Sequence, residues 1–317
     1  IYNQDRLVVE SVEELIDVGR KSGARPHLAH QKVCGKVNWG KTIECFRIIE
    51  AAREEGIDIL SDTYLHPYTQ IYPIADQLPS WLMQNGLEQA LQQLQDPNLY
   101  NKARLELQQF SIKDPISYTS TLGRGILWCL NSQGLEGLDF NEVMELWNVD
   151  YADLILKLVT ENQGQVKTAG IMGDEDIARI LKHPISMVGT DSFVVDDKQI
   201  DLLAAHPRNY ETYPYTIARY VRDEKLIDLP TCIRKMTGMV ADRLNLTDRG
   251  YIKEGIWADI VIFDFDTIGA NCTVTEPTEY PNGILHVLVN GQLTWEDGTY
   301  HDVRAGMAIR NPKRFAK

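Results

Sequence analysis

No disulfide framework runs through these 317 residues: the five cysteines, Cys34, Cys45, Cys129, Cys232 and Cys272, are odd in number and contain no CxxC pair. That usage fits a chain kept reduced, and a cytoplasmic location is expected. Long apolar runs are missing as well. The longest, "ADIVIFDF", is strand-sized, far short of the roughly 20 residues that span a bilayer,. Basic charge is scarce: 32 Lys and Arg stand against 45 Asp and Glu, a formal net charge of −13. Nucleic acid and anionic membranes both demand a basic face, so neither is an expected partner. Repeats, low-complexity tracts and a signal-like segment are absent too. The chain also lacks an initial methionine; it opens Ile1-Tyr2-Asn3 and enters a helical pattern within a few residues, as a fragment or a processed chain would.

What is present is a globular composition, 44% hydrophobic and 24% charged, long enough for one large α/β domain or two smaller ones,. "SVEELIDVGRKSG" predicts a helix capped by Ser11, supported by Glu14 and ended by Gly23; "RPHLAH" predicts a strand behind it. "KTIECFRIIEAAREEG" and "IDILSD" repeat the unit, and "MGDEDIARILKHP" with "ISMVGTD" repeats it again. Three such units describe a parallel sheet or barrel. A long insertion between Tyr68 and about Gln165 carries its own helices, and insertions of that size shape or cover sites. Beyond about Arg249 the pattern turns to short β runs, with Asn290-Gly291 and Asp297-Gly298 as hairpin turns,.

Active-site residues of a barrel gather where its strands end. "RPHLAH" ends on His30, "IDILSD" runs into Asp62, Thr63 and Tyr64, and "ISMVGTD" ends on Asp191. In a strand, His27 and His30 point to opposite faces, so at most one of them meets a site. Histidine offers a neutral nitrogen ligand and a carboxylate can move a proton, the inventory of a metal-dependent hydrolase. Plainer readings stand beside this one. His30 serves equally as a hydrogen bonder and Asp191 as a turn cap; Cys34 reads as a buried structural thiol and His66 in "YLHPY" as an exposed loop residue.

The stretches "AHQKVCGKVNWGKTIECFRIIEAAREEGIDILSDTY", "MVGTDS", "HPRNYETYPYTIARYVRDE", "IRKMTGMVADRLNLTDRGYIKEGIWADIVIFD" and "HVLVNGQLTWEDG" resemble the D-aminoacylase (N-acyl-D-amino-acid deacylase) branch of the amidohydrolase superfamily. The resemblance implies a metal-dependent (β/α)8 barrel, its C-terminal part over residues 1–248 with the insertion at about 72–165, and part of a small β-sandwich over 249–317. It implies zinc, with His30 as a ligand and His27 as its structural partner. Gln31 replaces the second histidine of the family's "SHHK". Lys32 and Arg208 would hold a substrate carboxylate, and either Tyr64 or Tyr68 matches the family tyrosine. Asp191 would shuttle the proton, with Ser192 where the family has glycine. The family's HxH pair and its cysteine or lysine ligand have no counterpart here, so the chain is expected to be incomplete and inactive by itself.

The activity so implied is hydrolysis of N-acyl-D-amino acids, small substrates with a free carboxylate. A hydantoinase- or dihydroorotase-like cyclic amidohydrolase and a metal-free, non-catalytic homologue are the alternatives.

Overall fold

The computed structural model describes residues 3–193 and 200–309. Residues 1, 2 and 310–317, the outer ends of the two expected units, lie outside that description, as do residues 194–199 inside the first unit. Strands β1 (His27–Leu28) and β2 (Leu60–Thr63) come first; β3 (Tyr72–Pro73), β4 (Arg124–Cys129) and β5 (Val166–Gly170) come after them; β6 (Ser186–Val188) is next; β7 (Ile260–Phe263), β8 (Ile284–Val289), β9 (Gln292–Glu296) and β10 (Thr299–Tyr300) close the chain. Among the described residues they form three sheets, β1-β2-β6, β3-β5-β4 and β10-β9-β8-β7. The first is parallel and its strands alternate with helices, which makes the fold α/β,.

The parallel sheet is backed by helices Val8–Ser22 and Thr42–Glu54. Val8, Val12 and Ile16, spaced one turn apart, form a single buried stripe against Leu28, Ile49 and Ile59,. That stripe draws the helix one turn back from the expected start. Ser11 is buried inside it rather than capping it, and the Asn3 side chain accepts the Leu7 N–H instead. Gly23 ends the helix at a left-handed φ of 69°, as expected,.

Residues 72–170 build a separate core. Leu82, Ile126, Phe140, Leu154, Leu158 and Val166 pack together between the antiparallel β3-β5-β4 sheet and its helices. The helical run after Asp139 breaks into Phe140–Trp147 and Tyr151–Glu161, because Asn148 turns left-handed and Asp150 caps the second helix,. The last sheet packs on the helical segment around Ile217, Val221 and Cys232 through Phe263, Ile268 and Ile284. Its Asn290-Gly291 and Asp297-Gly298 turns have positive φ at both residues, which matches the right-handed twist of the strands they join,. Among the described residues, no helix is long and apolar enough to cross a membrane.

Candidate active site

β1 and β2 run parallel with His27 opposite Leu60, which places Asp62 beyond the end of β1. One carboxylate oxygen of Asp62 accepts from the His27 ring at 2.6 Å, and the other accepts the His30 backbone N–H at 2.9 Å. Burial works against that carboxylate, but the His27 bond and the His30 N–H hold its pKa below the ordinary value,. Gly189 leaves room for this arrangement, since a Cβ there would stand 3.3 Å from Asp62 Oδ1. His30 itself turns out of the strand at a left-handed φ of 41°,. The Gln4 side-chain amide sits 2.8 Å from its Nδ1, which leaves Nε2 as the nitrogen for a ligand,. Burial, then the Lys32 charge, lower the His30 pKa below its ordinary value, which favours the neutral ring.

Asp191 comes just after β6, also left-handed at φ 49°. Its carboxylate pairs with Arg208 Nη1 at 2.9 Å. Arg208 opens the helix Arg208–Thr216, and its own N–H donates to His206 Nδ1 at 3.0 Å. The guanidinium Nη2 donates to Gln70 Oε1 at 3.0 Å, while the buried Nε has no hydrogen-bond partner among the described residues. Arg208 is only 4% exposed. Lys32 is equally buried, and burial pushes its pKa down to about 8. The ammonium donates to the His30 carbonyl at 3.2 Å and lies 4.5 Å from the Tyr64 ring, with the Arg208 guanidinium also 4.5 Å from that ring. Both cations therefore rest on one aromatic side chain. The Tyr64 hydroxyl is buried beside Arg208, and burial raises its pKa.

These groups meet at a cavity of about 830 Å³ lined by His30, Lys32, Tyr64, Asp191 and Arg208, with the helix Pro115–Leu122 and the start of β4 opposite them. Tyr68 sits beside the cavity rather than on it. Its ring lies 4.8 Å from that of His206, and its carbonyl accepts from His206 Nε2 at 3.3 Å. The expectation for His66 is overturned: it is 2% exposed and stacks on Tyr215 at 4.3 Å. The loop after β2 folds inward because Leu65 is buried and its carbonyl takes the Tyr220 hydroxyl bond, which carries the next residue inside. Cys34 is buried, as a structural thiol should be, and burial pushes its pKa up to about 12. Gln4, Gln70 and Arg124 reach the cavity although no sequence motif marks them. Two of them act through side-chain bonds 26 and 138 residues away along the chain, for which no local pattern exists.

The amidohydrolase family model matches residues 155–295. An N-acyl-D-glutamate deacylase of Alcaligenes xylosoxydans xylosoxydans is 29% identical over 294 residues, 92% of this chain and 49% of that protein. The D-aminoacylase of the same organism is 28% identical over 303 residues, 95% of this chain and 52% of its own length. Over more than nine-tenths of its length the chain is thus similar to D-aminoacylases and related N-acyl-D-amino-acid deacylases. It spans about half the length of the curated relatives it matches. A solved D-aminoacylase, described for its binuclear metal center, is 27% identical with a TM-score of 0.64, covering 96% of this chain and 53% of that one.

A catalytic zinc generally takes three protein ligands. Among the described residues, no group of three or more His, Cys, Asp and Glu side chains is placed to hold a metal. His30 and Asp191 do not fit a complete metal site by themselves.

Proposed function

We propose that the protein carrying this chain hydrolyses the amide of N-acyl-D-amino acids, releasing a D-amino acid and a carboxylate. The convergence of His30, Lys32, Tyr64, Asp191 and Arg208 on one cavity is the observation that carries the reading. Two buried cations on a shared aromatic ring are suited to a substrate carboxylate, which repays their desolvation. Arg208 already pairs with one carboxylate, and its Nε has no hydrogen-bond partner among the described residues. Asp191, beside the cavity and 35% exposed, is the group to take a proton from the attacking water and pass it to the amide nitrogen as the C–N bond breaks,.

In the same reading the three parallel strands belong to a (β/α)8 barrel, residues 249–317 belong to a small β-sandwich, and the likeness of fold to a solved D-aminoacylase supports both. Zinc is the metal proposed, with His30 as one ligand. The donors among the described residues fall short of a complete site for it.

The test is release of free amino acid from N-acetyl-D-amino acids by the protein supplied with zinc, with the L-enantiomers and a hydantoin as controls. Release from the D-substrates supports the proposal. Cleavage confined to the hydantoin selects the cyclic-amidohydrolase reading, and no cleavage in the presence of bound zinc selects the non-catalytic one.

A further inference from the structure

Lys167 is the second residue of β5, the central strand of the antiparallel sheet. Side chains alternate along a strand, so Val166 enters the core of residues 72–170 and Lys167 leaves by the opposite face,. It is nevertheless only 3% exposed. Lysine is almost never buried so deeply unless its charge is met. Here the ammonium donates to two backbone carbonyls, those of Leu202 and Val274, each at 2.6 Å. The acceptors lie 35 and 107 residues further along the chain, in two different loops.

Both loops lead to Arg208. Leu202 opens the approach to it, in which the Ala204 carbonyl accepts from Gln70 Nε2 at 3.0 Å while Gln70 Oε1 holds Arg208 Nη2. Val274 belongs to the loop between β7 and β8, where the Asn271 and Cys272 N–H groups donate to one oxygen of Glu211, at 2.8 and 2.9 Å. Glu211 is 1% exposed and stands on the helix that Arg208 opens. The bonds therefore close a ring. It runs from Lys167 through Leu202 to Arg208, on to Glu211, across to Cys272, and back through Val274 to Lys167. Opening the ring at Lys167 frees the approach and the loop together, and leaves two carbonyls without that donor.

We propose that Lys167 is a positioning residue for the carboxylate-binding arginine: by holding Leu202 and Val274 it sets where Arg208 stands beside Asp191. This rests on the deacylase reading, in which Arg208 binds the substrate carboxylate. A planar donor that must meet a carboxylate squarely tolerates little displacement, and a shift of about 1 Å can cost up to about a hundredfold. The last sheet takes part as well, since its β7–β8 loop is one of the two things Lys167 holds.

The test is steady-state hydrolysis of an N-acetyl-D-amino acid by the zinc-supplied protein and by Lys167→Met, which keeps an apolar stem and donates nothing. KM should rise about tenfold while kcat changes by less than about threefold, because the binding group moves and the proton shuttle stays. In an Arg208→Met background the same substitution should add less than about twofold, since the group it positions is already gone. A purely stabilising lysine would show no such dependence on Arg208. Hydrogen exchange, which needs no substrate, should quicken at the Asn271 and Cys272 amides of Lys167→Met. Glu211→Gln weakens the opposite link while keeping its shape; it should raise KM about threefold and carries the test if Lys167→Met does not fold. An unchanged KM in the variant that folds, unchanged exchange, or a tenfold rise that persists without Arg208 overturns the proposal and leaves the deacylase reading standing. If the parent protein cleaves none of the D-substrates, that reading fails and this inference falls with it.

Discussion

The two walls of the cavity are built on different principles. The wall at the end of the parallel sheet is held by bonds between residues remote in sequence: Gln4 on His30, Asp62 on both His27 and the His30 backbone, and Gln70 and Asp191 on Arg208. The opposite wall, from residues 72–170, is held locally. Thr119 bonds the carbonyl of Pro115, the Ser117 N–H is capped by Asp114, and Asn141 reaches back to Leu122, all over a core of its own. One ion pair, Lys36 to Glu142 at 2.6 Å, bridges the two. Residues that must hold a geometry to fractions of an ångström sit where many elements converge. The opposite wall carries Arg124, whose guanidinium lies 4.5 Å from the Tyr72 ring centroid. The difference sets a wall fixed by long-range bonds against one that keeps its shape by itself.

Substitutions in the first wall should act on every substrate alike. The largest effect is expected from Asp191→Asn, which keeps the shape but cannot accept a proton. Turnover should fall at least about a hundredfold with little change in KM, the scale of general acid–base catalysis. A kcat near that of the unmodified protein would remove Asp191 from the chemistry. Arg208→Met should come next. It deletes the guanidinium that bridges Asp191 and Gln70, and it should raise KM by about ten- to a hundredfold for acidic and neutral N-acyl substrates equally. An unchanged KM would take Arg208 out of carboxylate binding, and the comparison would break.

Much of the first wall is legible in the sequence because parallel strands read as short apolar runs, and a site forms from the residues just past the end of such a run. His30 and Asp191 stand out in that way, and both hairpins are marked by Asn-Gly and Asp-Gly. Burial is harder to read. Lys32 and Arg208 look like solvated charges in sequence, yet both are buried because the loop after β2 lays Tyr64 between them. His66 misleads for the same reason. A His-Pro pair in a polar loop suggests exposure, but tertiary contacts with Tyr215 and His206 enclose it. Arg124 leaves no signal at all. An arginine at the start of a strand is ordinary, and its place on the cavity wall is visible only once the sheet has folded.

The smallest effect tests what lies behind the first wall. His66 and His206 pack edge to face, 5.4 Å apart, with Tyr68 and Tyr215 around them and Arg208 and Arg219 close enough to repel a further positive charge. Burial first, then those two arginines, push the His66 pKa down to about 3 from an ordinary 6.5. The folded protein therefore stays unprotonated at His66 between those values while the unfolded chain takes up a proton, so stability falls as pH falls through that window. His206 is shifted in the same direction by its own burial, His66 and Arg208. His66→Phe keeps a flat ring against Tyr215 and removes both the titration and the unpartnered Nε2. At pH 7 the variant should be as stable as the parent or slightly more so, since an unpaired buried polar atom is lost. Between pH 7 and pH 5 it should lose about 2 kcal/mol less than the parent, the linkage expected for one proton over about 1.5 pH units below 6.5. Urea unfolding at the two pH values measures the difference. Equal losses would mean that His66 is accessible to protons in the folded state, and that the support beneath Arg208 is wetter and looser than its packing implies.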